Sequence, residues 1–159
     1  GRRHADAGDA GDAGDAGVRA YRSGLALVRE AVGEDAYLLG CGAPILASIG
    51  LVYAMRVSPD TFHDEAEEAA AELRGRPGAE ARAWQQGRLW VNDADCLVAR
   101  PSFLRREEWA GVVERLSGLR SFSDRVSSLD EWGLETVRRL LGSTPAPVPF
   151  PELPDPYRS

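Results

Sequence analysis

Two hydrophobic patterns alternate along this chain, one with helical spacing and one made of short continuous apolar runs. Apolar residues recur every three or four positions, as on one face of an α-helix, over residues 18–32, 105–116 and 129–141. Continuous runs that are typical of buried strands occupy residues 37–39, 51–57, 89–98 and 119–123. Four strands that alternate with helices predict an α/β fold with a parallel sheet.

Between the second and third apolar runs the chain is mostly polar. Residues 64–73 are rich in Ala and Glu and predict a helix with little apolar face, and residues 80–86 predict a second helical piece. The Gly and Pro residues at 74–78 predict a break between the two pieces.

The two ends of the chain have biased compositions. Asp-Ala-Gly occurs four times in tandem within residues 1–17, which predicts a flexible, acidic surface loop. A calcium-binding repeat would need more acceptor oxygens at tighter spacing. Residues 143–159 contain six prolines and predict an extended linker. The packed part of the chain is therefore predicted to be residues 18–142.

The strand predicted at residues 51–57 ends in a way that suggests chemistry. Ser58 and Pro59 stop the strand, Asp60 follows directly, and Arg56 lies four residues before that carboxylate. Parallel α/β enzymes place catalytic groups at the carboxyl ends of their strands. The alternative is an Arg56–Asp60 surface ion pair of little consequence, and the residue pattern leaves both interpretations open.

A second predicted strand end is also acidic, with Asp93 and Asp95 one residue apart. This spacing can hold a divalent metal beside a sugar nucleotide, or one Asp can be functional while the other is a structural acid. Trp90 immediately precedes the acidic segment and is therefore the one tryptophan that we single out as a possible ligand contact. Met55 and the other tryptophans are predicted to be core residues.

Composition and charge exclude several classes of protein. The net charge is −6 and the basic residues, all of them Arg, are scattered, which argues against a nucleic-acid partner. Two cysteines are too few for a disulfide framework, so we expect reduced thiols and a cytoplasmic location. No apolar run has membrane-spanning length, so no membrane partner is predicted. His4 and His63 lie in polar surroundings, which gives no support for a Ser/His/Asp triad.

Three segments, taken in this order, resemble the melibiase-type α-galactosidases and their bacterial relatives, the glycoside hydrolase family 36 type. The segments are residues 37–44, 50–60 and 89–97, and residues 132–136 also fit. Each segment is a weak signal alone, whereas the three together are specific. The resemblance runs from about Val18 to Gly142.

The resemblance implies a (β/α)8 TIM barrel, of which this chain carries a part. A barrel of that kind takes about 250 residues, so residues 18–142 are expected to be its C-terminal half, about strands 5 to 8. The implied partners are a carbohydrate substrate and the N-terminal half-barrel and C-terminal β-domain of the same enzyme. Half a barrel exposes sheet edges and is expected to fold poorly by itself.

The resemblance also implies roles for individual residues. The family's Arg-x-x-x-Asp pattern falls on Arg56 and Asp60, which makes Asp60 the general acid/base and Arg56 a group that binds substrate or positions Asp60. Further contacts to the sugar are expected from Cys41, Gly42, Trp90, Asp93 and Asp95. The resemblance implies no cofactor and no metal.

This sequence departs from the family pattern at three points. The family's nucleophile is an Asp in a Lys-x-Asp motif on the fourth strand, and this chain contains no Lys. Ala94 stands where the family usually has Pro, and Tyr53 stands where relatives often have Asp. The nucleophile is therefore expected upstream of Gly1, and this chain alone is expected to be inactive.

The predicted function is thus part of a retaining α-glycosidase that hydrolyses α-galactosides or related carbohydrates. One alternative is a non-catalytic carbohydrate-binding or assembly module derived from such a barrel. Another is a metal-dependent glycosyltransferase that uses Asp93 and Asp95.

Overall fold

The computed structural model describes residues 7–60, 73–143 and 145–146. In this part of the chain it contains four α-helices and three short β-strands, so the predicted α/β class is confirmed, while the partial barrel stays a prediction. In chain order the elements are α1 Ala7–Val32, β1 Leu39–Gly40, β2 Ala54–Arg56, α2 Gly75–Ala81, β3 Val91–Asp93, α3 Arg106–Leu116 and α4 Glu131–Leu141. The chain divides into two compact units, Gly1–Tyr53 and Ala54–Ser159.

The first unit is built on α1, which begins much earlier than predicted. We predicted a loop through residue 17, but α1 begins at Ala7, so that prediction is wrong from Ala7 onward. Alanine has the highest helix propensity, and aspartates are favourable near a helix N-terminus. Asp15 and Arg19, four residues apart on the same face, also form an ion pair of 2.6 Å. Local helix preference therefore outweighs the glycines of the repeat.

The end of α1 is fixed by Gly33, as the sequence predicted. Gly33 has a φ of +80°, and its N–H donates to the carbonyl of Arg29 at 3.1 Å. The predicted apolar face of α1 is only partly covered: Tyr21 is half-buried, whereas Val18 and Val28 are exposed.

The second unit is organised around the parallel pairing of β2 with β3. Ala54 pairs with Val91, Met55 with Asn92 and Arg56 with Asp93. Because side chains alternate between the two faces of a strand, Met55 and Asn92 share one face, and both are fully buried. Arg56 and Asp93 share the other face, at the carboxyl ends of their strands.

Helices α3 and α4 contribute seven of the fifteen buried residues of the hydrophobic core cluster in the described part of the chain. On α3 the predicted inward residues are confirmed as buried: Trp109, Val112, Val113 and Leu116. On α4, Val137 and Leu140 are buried as predicted, and the helix begins where the Asp130 side chain accepts the N–H of Gly133.

Several predicted boundaries in the second unit are wrong. The break predicted at residues 74–78 is part of α2, where Pro77 lies in the first turn and needs no helical N–H partner. The predicted strand 89–98 contains only Val91–Asp93, and residues 119–123 contribute one isolated bridge, Leu97 to Phe122.

The remaining predictions for the ends and for the polar region cannot be compared with the structure. The helix predicted over residues 64–73 lies almost entirely outside the described residues, as do both histidines and most of the proline-rich segment at 143–159. Within the part that the structure describes, no helix is long and apolar enough to span a membrane.

Gly118 provides a test of the packing around Gln86, a side chain that is hydrogen-bonded to β3. A Cβ at this position would lie 2.3 Å from the Gln86 amide nitrogen, and the Gln86 Oε1 accepts the backbone N–H of Asn92 at 2.7 Å. Gly118→Ala should therefore displace Gln86 and lower the free energy of unfolding by about 1–3 kcal/mol in a denaturant melt.

Gly24→Ala is the matched control, because a Cβ there meets nothing within 4 Å and Gly24 lies inside α1. It should raise the unfolding free energy by about 0.5–1 kcal/mol. Equal effects from the two substitutions would contradict the packing that we describe.

Candidate active site

Arg56 gathers three carboxylates at the carboxyl ends of β2 and β3. Its Nε lies 3.0 Å from Oδ2 of Asp93, and its Nη1 lies 3.1 Å from Oδ1 of Asp60 and 3.1 Å from Oδ1 of Asp95. Only 18% of the Arg56 side chain is exposed. The arrangement follows from the strand register, because Arg56 and Asp93 are direct partners on the same face of the sheet.

Asp93 is the most deeply placed of the three carboxylates, with 5% of its side chain exposed. Its Oδ2 accepts from Arg56, and its Oδ1 accepts the backbone N–H of Asp95 at 2.9 Å. Its backbone carbonyl accepts the N–H of Val57 at 2.9 Å. Both carboxylate oxygens of Asp93 therefore have partners within the protein. This indicates a structural role in which Asp93 holds the Arg56 guanidinium and the backbone of Asp95.

The segment that follows β3 is held by groups from several elements. The Ser58 hydroxyl donates to the carbonyl of Ala94 at 2.7 Å, and the N–H of Ala94 donates to the Ser117 hydroxyl at 3.1 Å. The indole N–H of Trp109 donates to the carbonyl of Cys96 at 2.8 Å. The sequence pattern predicts none of these three supporting roles. Ser58 indicates only a strand end, Trp109 indicates only a core position, and Ser117 follows the predicted helix without any signal.

Asp60 differs from the other two carboxylates because 56% of its side chain is exposed. It follows Ser58, which is buried, and Pro59, which is exposed. The ion pair with Arg56 orients this accessible carboxylate at the edge of the charge cluster, which consists of Arg56, Asp60, Asp93 and Asp95. Such a group is suited to exchange a proton with a ligand from solvent.

Cys96 lies next to the site but is not suited to nucleophilic chemistry. Burial, above all, raises the pKa of its thiol; the nearby Asp95 adds to the rise, and the Ser123 hydroxyl opposes it. Because the thiolate is the reactive form, a raised pKa keeps Cys96 protonated near neutral pH.

Three further residues were predicted to line the site. Trp90 lies at the start of β3 and, by alternation, on the face of β3 opposite to Asp93; its indole is buried. The geometry therefore gives no support to a sugar contact from Trp90. Cys41 and Gly42 belong to the first unit, where both are exposed and Gly42 has a φ of +62°. Their contact with a sugar stays a prediction.

A metal at Asp93-x-Asp95 would compete for oxygens that already have partners, namely both carboxylate oxygens of Asp93 and Oδ1 of Asp95. Asp93 and Asp95 both pair with the Arg56 guanidinium, which lies where a metal cation would compete. Among residues 7–60, 73–143 and 145–146, no group of three or more His, Cys, Asp or Glu side chains is arranged to hold a metal ion.

The chain matches no protein-family model. It is similar to solved structures of the α-galactosidase TtGalA from Thermus thermophilus, in complex with stachyose and with p-nitrophenyl α-D-galactopyranoside. The identity is 28% in both cases, over 79% and 80% of this chain, with TM-scores of 0.60 and 0.55. The chain has an α-galactosidase-like fold. It spans about 30% of the length of the solved chain in the first match and 29% in the second.

The charge cluster predicts unequal effects on stability. Arg56→Met should lower the free energy of unfolding by about 3–5 kcal/mol, because the buried Asp93 carboxylate loses its counter-charge. Asp60→Asn should change it by less than about 1 kcal/mol, since it removes only an exposed partner. Denaturant melts of both variants at pH 7 measure the difference. Comparable losses of unfolding free energy would contradict the conclusion that Asp93 is buried and Asp60 is exposed.

Proposed function

We propose that this chain is part of a retaining α-glycosidase that hydrolyses α-galactosides or related carbohydrates, and that Asp60 is its general acid/base. The observation that carries this proposal is the arrangement of one accessible carboxylate, Asp60, beside a half-buried arginine at the carboxyl ends of two parallel strands. The likeness to α-galactosidases solved with galactosides supports the substrate class.

In the proposed reaction Asp60 first donates a proton to the oxygen of the leaving group as the glycosidic bond breaks. In the second half-reaction the same carboxylate accepts a proton from the water that attacks the anomeric carbon. A retaining enzyme forms a covalent intermediate between these steps through a second carboxylate about 5 Å from the first.

The second carboxylate is a different group from Asp93. Both oxygens of Asp93 accept hydrogen bonds from the protein, and the side chain is nearly inaccessible. A nucleophile must approach the anomeric carbon with a free lone pair. We therefore assign the attack to the aspartate that the family resemblance implies on an earlier strand of the barrel.

Arg56 has a double role in this proposal. Its contacts with Asp93 and Asp95 keep the guanidinium at one position, and its Nη1 holds Asp60. A fixed guanidinium of this kind supplies the preorganised orientation on which proton transfer depends.

The two alternative functions make different demands on the same cluster. A metal-dependent glycosyltransferase needs Asp93 and Asp95 to leave Arg56, which costs the buried charges their partner. A non-catalytic carbohydrate-binding module would use the same surface without proton transfer. Catalysis by the full-length protein separates this module from the glycosidase.

The leaving group tests the role of Asp60. In the full-length protein, Asp60→Asn should slow stachyose hydrolysis by at least about 100-fold, because its sugar leaving group requires protonation. Hydrolysis of p-nitrophenyl α-galactoside, whose leaving group needs little protonation, should fall far less. Azide should accelerate the variant on the nitrophenyl substrate by replacing the water that Asp60 would activate.

Asp15→Asn is the matched control for this substitution. Asp15, like Asp60, is an exposed aspartate that pairs with an arginine four residues away in sequence. The control should leave both rates unchanged. Equal slowing of the two substrates by Asp60→Asn, with no response to azide, would identify Asp60 as a binding residue and overturn the proposal.

A further inference from the structure

Asp95 has an unusual backbone. Its φ is +101°, and no other non-glycine residue in the described part of the chain has a positive φ. A residue with a Cβ is strained in this region, so the conformation persists only where the surroundings enforce it. Such strain is commonly found where a side chain must be held at a particular place.

The hydrogen bonds of the segment account for its persistence. The N–H of Asp95 donates to Oδ1 of Asp93 at 2.9 Å, and Oδ1 of Asp95 accepts the N–H of Cys96 at 2.8 Å. On either side, Ser117 holds the N–H of Ala94 and Trp109 holds the carbonyl of Cys96. The backbone is therefore fixed on both sides of the strained residue.

The strained conformation directs the Asp95 carboxylate to the guanidinium that also holds Asp60. Oδ1 of Asp95 and Oδ1 of Asp60 each lie 3.1 Å from the same atom, Nη1 of Arg56. Only 13% of the Asp95 side chain is exposed, compared with 56% for Asp60. Asp95 therefore faces Arg56 from inside the site, and Asp60 faces it from the solvent side.

We propose that Asp95 is a positioning residue, which orients Nη1 of Arg56 and through it the carboxylate of Asp60 for proton transfer. This inference rests on the proposed glycosidase function. It replaces the direct sugar contact that the family resemblance implied for Asp95. The reason is that Oδ1 of Asp95 already accepts the N–H of Cys96 and lies 3.1 Å from Nη1 of Arg56.

Asp95→Asn is the informative variant, because asparagine tolerates positive φ and keeps an Oδ1 acceptor for the N–H of Cys96. It removes the negative charge that opposes Arg56. A small displacement of a catalytic group is enough to lower a rate by up to 100-fold. We therefore expect kcat/KM for stachyose to fall by about 10–100-fold in the full-length protein, with kcat/KM for p-nitrophenyl α-galactoside within about threefold of the wild type, because kcat/KM excludes the second half-reaction that both substrates share.

KM separates positioning from sugar binding. A positioning residue should not raise KM for the nitrophenyl substrate, because slower hydrolysis of the covalent intermediate lowers KM. A residue that hydrogen-bonds the galactosyl group should instead raise KM for both substrates, because both carry that group. A raised KM for the nitrophenyl substrate, or an equal loss of kcat/KM on the two substrates, overturns the positioning role.

Two further variants test the backbone conformation at Asp95, and they keep the proposal testable if Asp95→Asn fails to fold. Neither Asp95→Gly nor Asp95→Ala has a carboxylate, but only glycine adopts positive φ without strain. Both variants should show the same preference for the nitrophenyl substrate as Asp95→Asn. Asp95→Gly should melt about 2–4 °C above Asp95→Ala. Equal melting temperatures overturn the strained conformation on which the proposal depends.

The wild type and Asp60→Asn, measured alongside, distinguish this inference from the proposed function. If the wild type hydrolyses neither substrate, the glycosidase proposal fails and this inference fails with it. If Asp60→Asn shows the leaving-group effect and Asp95→Asn does not, the positioning role alone is overturned.

Discussion

The pairing of the half-buried Arg56 with three carboxylates is the interaction on which the rest of the site depends. A guanidinium that is largely removed from water is stable only with close counter-charges, and Asp60, Asp93 and Asp95 provide them. In return, Arg56 supplies the counter-charge that lies 3.0 Å from the deeply buried Asp93 carboxylate. The segments after β2 and β3 are thus held in place by charge as well as by the backbone ladder.

The parallel register of β2 and β3 makes this pairing possible. It sets Arg56 and Asp93 side by side at the carboxyl ends of their strands. The opposite faces of the same strands carry Met55 and Asn92, which are buried. A shift of one residue in register would place Arg56 beside the wrong face of β3. The packing that fixes the register therefore also fixes the charge cluster.

Sequence alone was enough to predict the α/β class, the helices α3 and α4 and the acidic strand ends at Asp60 and Asp93, because these depend on local periodicity and strand punctuation. It did not predict the helical start of α1, where alanine outweighs glycine, or α2, because a proline in the first turn of a helix gives the same sequence signal as a helix break. Nor could it show which carboxylate is buried. That depends on strand register and on hydroxyl groups such as Ser117, whose partners lie far away in sequence.

A crystal structure of the full-length protein with bound galactose tests the central claim most directly. We predict that the anomeric hydroxyl lies within hydrogen-bond distance of Asp60, about 2.6–3.2 Å. We also predict that Asp93 and Asp95 still pair with Arg56. A sugar bound away from Asp60, or an Asp93 side chain turned from Arg56 toward the sugar, would contradict the claim.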